Sequence, residues 1–157
     1  MWNKRRSVIL TQIIVRLCYV ILAVCAVVLP FVTEKYVQAV GISFIAEYGR
    51  FILAPFYLVV PAGYAALVCI DKLLINIKKE VVFDKVNVRL LRIISRCCFY
   101  AAAVGILSFS VMAAAKYPYA SLIILASGEA FMGLVVRVVK NVFEAAIEIK
   151  EENELTI

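Results

Sequence analysis

Two ionisable residues lie deep inside long apolar runs. Arg16 falls within Val8–Val32, and Glu129 within the run that starts near Ala120. An ionisable side chain near the centre of a membrane-crossing helix costs roughly 2.5–3.5 kcal/mol on insertion scales, so such residues pair, line a path or reach for the interface. Arg16 stands nine residues after Ser7, and Glu129 eleven before Lys140. At a rise of 1.5 Å per residue, both sit about 14–17 Å deep, near the midplane of a ~30 Å core. Matching depths allow an Arg16–Glu129 ion pair between the first and last helices. The alternatives are an Arg16 that snorkels to the headgroups beside a protonated Glu129, or a proton or ion relay through both. Ala126, Ser127, Gly128, Ala130 and Gly133 give the last helix a small-residue face beside Glu129, and Ala101-Ala102-Ala103 with Gly105 give the third helix another. Such faces let helices approach closely. Bundle packing accounts for them, and a ligand cavity lined by Glu129 is the competing reading.

A second group of charges is the stretch Asp71–Arg96, which holds seven Lys or Arg in 26 residues. Arg89, Arg92 and Arg96 recur at i, i+3 and i+7, which places them on one helix face. With Lys78, Lys79 and Lys85 they suit anionic lipid headgroups. The other reading is a docking surface, either for an acidic protein or for the chain's own tail, Glu151, Glu152 and Glu154.

Enzyme chemistry has little to stand on. There is no histidine, hence no ordinary Ser-His triad and none of the commonest metal ligand. No Walker loop, GxGxxG, HExxH or GxSxG pattern occurs. The sequence therefore predicts a non-enzyme with no catalytic, cofactor-binding or metal residues. The five cysteines, Cys18, Cys25, Cys69, Cys97 and Cys98, all fall in apolar runs, so a disulfide framework is not expected.

The elements that position these residues follow from composition. The chain of 157 residues is 65% hydrophobic, against roughly 45–50% for a globular domain, and its mean hydropathy is +0.98. A soluble fold of this size cannot hide so much apolar surface. The net charge of +6 sits between the apolar runs, which indicates orientation in a membrane and no direct nucleic-acid binding. Runs of about 8–32, 51–70, 97–115 and 120–139 predict an all-α polytopic membrane protein, a single domain over 1–157 with four transmembrane helices. The basic start and long first run resemble a signal peptide, and Leu22-Ala23-Val24-Cys25 a lipoprotein box. The length of the run and the further spans after it predict a retained helix instead.

Residues 33–49 are expected as an exterior loop, with Ile42–Ala46 lying on the membrane surface, and Lys116-Tyr117-Pro118-Tyr119 as an exterior turn. Pro61 should kink the second span. Between spans two and three lies an elbow, 71–96, in which Asp84 is a good N-cap and Phe83 with Val88 can form a hydrophobic staple. A tail, 140–157, follows span four. Thirteen of the 17 Lys and Arg fall in the N-terminus, the elbow and the segment from Arg137 onward, and three fall on the opposite side. The positive-inside rule then predicts both termini and the elbow in the cytoplasm, in the cell membrane.

Two stretches carry a family resemblance: Val82-Phe83-Asp84-Lys85-Val86-Asn87-Val88-Arg89-Leu90-Leu91-Arg92-Ile93-Ile94 in the elbow, and Ala146–Ile157, ending Glu151-Glu152-Asn153-Glu154-Leu155-Thr156-Ile157. The chain resembles the DUF2975 family of bacterial membrane proteins, which end in a similar acidic stretch followed by Leu-Thr-Ile. Glu154 stands where Asp is common. The resemblance implies four membrane helices and supplies no catalytic residue. Genes of that family often adjoin small helix-turn-helix regulators, which implies a membrane component of a regulatory pair.

These readings converge on a non-enzymatic integral membrane protein, regulatory or sensory, that sits in the lipid bilayer and acts on a cytoplasmic partner such as a small helix-turn-helix transcription regulator. The alternative is an oligomeric transporter or channel subunit using Glu129 and Arg16. Four helices rarely enclose a path, so that reading needs a homo-oligomer.

Overall fold

Long uncharged runs make continuous helices in lipid, where every backbone group must be satisfied within its own segment. In the structure, a computed structural model, residues 4–40, 43–114 and 120–154 are described, with side chains for 7–35, 53–114 and 120–153. They form α1 (Lys4–Val40), α2 (Ser43–Lys78), α3 (Lys85–Ala114) and α4 (Ala120–Glu154), and no strand among the described residues. Ser7–Lys35, Leu53–Lys78, Lys85–Ala114 and Ala120–Asn153 are each long and apolar enough to cross a membrane. The expected all-helical, four-span fold is what the structure has.

The outer surface confirms the solvent. Ile13, Val27, Phe31, Leu107, Ile124, Leu125 and Phe131 are all more than half exposed, Ile124 at 69%. An apolar surface this continuous fits lipid and not water.

The exterior loop expected over 33–49 is largely helical: α1 runs to Val40 and α2 starts at Ser43. Glu34, Lys35 and Glu47 end the apolar run, but a helix leaving lipid keeps its i→i−4 bonds, so charge marks the end of the span and not of the helix. The Lys116–Tyr119 turn, Gly41-Ile42 and Leu155-Thr156-Ile157 lie outside the described residues, as does the side chain of Glu154.

Each helix packs on the next: α1 on α2, α2 on α3, and α3 on α4. Among the described residues α1 packs on neither α3 nor α4. Proline helps to join α1 to α2. Pro30 lies inside α1 and lacks the N–H that would bond the Ala26 carbonyl. Tyr57 of α2 donates its hydroxyl to that carbonyl at 2.6 Å. The Tyr19 and Tyr64 rings meet seven residues, about two helical turns, further on, with centroids 5.9 Å apart. Pro55 and Pro61 both lie within an unbroken α2.

The α3–α4 seam is closest. A Cβ on Gly105 would stand 3.0 Å from the Ala126 Cβ, and one on Gly133 would stand 3.3 Å from the Cys98 Cβ and the Phe99 ring. Ser95 donates its hydroxyl to the Gly133 carbonyl at 2.9 Å. Of the glycines on α4, Gly133 faces α3, as Ala126 does, and Gly128 faces open space. A core of Cys69, Leu90 and Ile94, flanked by Leu73, Cys98 and Val136, ties α2, α3 and α4 together on the elbow side.

Candidate functional site

The elbow is built by three local devices. α2 ends in a Schellman motif: the Val81 N–H reaches the Asn76 carbonyl at 3.0 Å and the Glu80 N–H reaches that of Ile77 at 3.1 Å. This needs a left-handed residue after the helix, usually glycine, and here Glu80 takes it with φ 62°. α3 then starts at the expected cap, with the Asp84 carboxylate accepting from the Val86 N–H at 2.9 Å.

The third device was not legible beforehand. Asn87 is fully buried. Its Nδ2 donates to the carbonyls of Val81 and Val82, both at 2.8 Å. Its Oδ1 accepts from Asn76 Nδ2 at 2.7 Å. One side chain thus closes the turn and ties it back to α2. The only signal in the sequence is a lone Asn three residues after a cap.

The elbow is also fastened to the far end of α4. Phe83 packs on Phe143, with ring centroids 5.7 Å apart; this is the partner the structure gives the residue expected to staple Val88. Lys85 pairs with Glu151 at 2.7 Å, and Arg92 with Glu144 at 3.0 Å. Glu144 also takes Lys140 at 2.8 Å. The Lys140 hydrogen bond, and then that of Arg92, holds the Glu144 carboxyl below its ordinary range. The hydrogen bond that Lys85 donates to Glu151 pushes the Lys85 ammonium above its own. Between these bridges runs a groove of about 430 Å³, lined by Arg89, Ile147 and Glu148 among others.

The candidate docking residues are thus divided. Lys85, Arg89, Arg92 and Glu151 share the groove. Lys78 and Lys79 are exposed at the end of α2, and Glu152 is exposed on α4. Arg96 turns to a separate pocket with Arg137.

Arg16 and Glu129 are both exposed, and no ion pair among the described residues joins them. Glu129 borders a mostly apolar cleft of about 380 Å³, walled by Cys18 and Cys25 of α1, Phe56 and Ala66 of α2, and Cys98 of α3. Cys18, Ile21, Leu22 and Cys25 turn one face of α1 to this cleft. Arg16 precedes Cys18 by two residues, so it points about 200° away. Residue counting expects the two charges at one depth, and the rotation of α1 turns Arg16 away from the cleft that Glu129 borders. Asp71, toward the elbow end of α2, has one carboxylate oxygen buried without a hydrogen-bond partner among the described residues. All five cysteines are free.

The family model described as "Protein of unknown function (DUF2975)" matches residues 37–157. The chain belongs to that family. The match takes in α2, α3, α4 and every candidate residue except Arg16. No curated protein and no solved structure matches the chain.

Proposed function

We propose that this DUF2975 protein is a regulatory or sensory component of the cell membrane that acts, without enzymatic activity, on a cytoplasmic protein. Both termini and the elbow would lie in the cytoplasm, supported by the excess of Lys and Arg on that side. The observation that carries the reading is the clasp between elbow and α4. α3 and α4 project past their apolar runs on one side, and Phe83–Phe143, Lys85–Glu151 and Arg92–Glu144 hold the turn and the α3 projection to that of α4.

Exposed ion pairs of this kind contribute little, because water and salt screen them. A partner presenting its own charges can replace them at little cost, so the clasp suits exchange better than permanent support. The partner's chemistry would be a protein surface with both basic and acidic side chains, and the family resemblance points to a small helix-turn-helix regulator. Sequestration at the membrane would be the mechanism, with movement of the bundle changing access to the groove.

Co-purification of such a regulator with the full chain, and with residues 144–157 removed, tests this. The partner is expected to be lost with the truncation and with Lys85→Glu, and to stay lost in the Lys85→Glu/Glu151→Lys exchange, which rebuilds the clasp but reverses the charges the partner must meet. Full retention by the truncated chain would overturn docking at the clasp.

A second reading rests on the Glu129 cleft. A carboxylate facing an apolar cavity open to the membrane suits a solute-binding position in an oligomeric transporter or channel subunit. Liposome flux abolished by Glu129→Gln would favour it. Flux that survives both Glu129→Gln and Arg16→Ala would exclude this path.

A further inference from the structure

Arg96 and Arg137 have no ion-pair partner among the described residues, although they stand on adjacent helices at the edge of the apolar zone. With Arg92 and Lys140 they surround a pocket of about 330 Å³, closed by Ser95 and Phe99. That volume falls within the ~300–1,000 Å³ usual for small-ligand sites. Four cations line it. The acidic side chain that reaches them is Glu144, which bonds Arg92 and Lys140. Three positive charges are left unmatched.

The position of the pocket is as telling as its charge. Arg96 immediately precedes the uncharged run that begins at Cys97, and Phe99 is already within it. Arg137 lies one turn beyond Leu134, a lipid-facing residue 53% exposed. The pocket therefore straddles the level where headgroup meets acyl chain, with guanidinium groups on one side and an apolar surface directly below. Arginine presents a planar fork that matches phosphate oxygens two at a time. Two forks from different helices, at headgroup depth, form a receptor for a phosphate that is attached to something apolar.

We propose that the α3–α4 pocket binds the phosphate of an anionic lipid, held by Arg96 and Arg137 with Arg92 and Lys140 behind them, and with its acyl chains along Phe99 and Leu134. Glu144 competes for two of the four cations. Lipid binding and the α4 clasp therefore oppose each other, and Glu144→Gln tightens lipid binding severalfold.

The test uses the full chain in a neutral detergent, titrated with dioctanoyl phosphatidic acid and followed by native mass spectrometry. One lipid is expected to bind per chain. Arg96→Gln/Arg137→Gln is expected to weaken it at least tenfold. Arg89→Gln removes one charge from the neighbouring groove and should change it less than twofold. Arg96→Lys/Arg137→Lys keeps charge and fold but not the forks, and should lose part of the affinity, which guards against misfolding of the glutamine variant. Equal losses from Arg89→Gln would reduce the site to a diffuse basic surface and overturn the proposal. Unchanged binding by the glutamine pair would do the same. Inorganic phosphate is expected to compete only at far higher concentration; competition at the lipid's own concentration would assign the pocket to free phosphate instead.

Discussion

Replacing Asn87 with alanine tests whether one buried amide holds the elbow. The change removes donors to two turn carbonyls at 2.8 Å and an acceptor for Asn76 at 2.7 Å. A buried polar group left unpaired costs about 1–3 kcal/mol. The Val81 end of the turn is exposed, so water replaces part of the loss there. The expected destabilisation is about 2–5 kcal/mol. Reversible unfolding in mixed micelles measures it, together with amide exchange over residues 79–88. Asn87→Leu keeps volume without hydrogen bonds and should cost a similar amount, which separates bonding from cavity formation. Asn76→Ala removes one bond and should cost about 1 kcal/mol. In the double variant that cost disappears, because its partner is already gone. A loss below about 0.5 kcal/mol for Asn87→Ala, within the range of an ordinary surface change, would refute the reasoning.

Three further outcomes are expected. Glu80→Gly relieves a left-handed residue at φ 62° and should stabilise by about 0.5–1 kcal/mol, since the αL penalty exceeds the entropy glycine adds to the unfolded chain; unfolding midpoints check it. Tyr57→Phe strips the Ala26 carbonyl of its donor and should cost about 1 kcal/mol, but nothing in a Pro30→Ala background, where the restored N–H takes over; a double-mutant cycle measures the coupling. The clasp should hold between two pH limits. Glu144 has a lowered pKa, so its contribution is present above the ordinary carboxylate range and lost as pH falls through the depressed value. Lys85 has a raised pKa, so its contribution is present below the ordinary lysine range and lost as pH rises through the elevated value. Spin-label distances between the elbow and α4 should therefore lengthen at both extremes and stay constant between them.

The helices were legible because hydropathy reports lipid exposure directly, and Asp84 because capping is local chemistry. The end of α1 and the start of α2 were not, since Glu34, Lys35 and Glu47 report departure from lipid and say nothing about the backbone. Asn87 reads as an ordinary polar residue until the turn it closes is known. Glu80 carries no glycine to signal its conformation. Arg16 and Glu129 show a further limit. Counting residues gives each one's depth, but its rotational direction depends on which helices are neighbours. Arg137 and Lys140 were counted as topology signals, and only the α3–α4 seam places them beside Arg92 and Arg96.

Because every helix packs on the one before it, the order of synthesis is also the order of assembly. α2 packs on α1, α3 on α2, and α4 on α3 at the seam of Gly105 and Gly133, so each helix from α2 onward has a partner that was made before it. No segment has to wait beside the translocation machinery for a partner still to be made. Contacts between consecutive segments also close short loops, which keeps the entropic barrier to assembly low. The residues that fasten the elbow, Phe143, Glu144 and Glu151, follow the fourth apolar run. The clasp therefore needs all four helices to have been made before it can close.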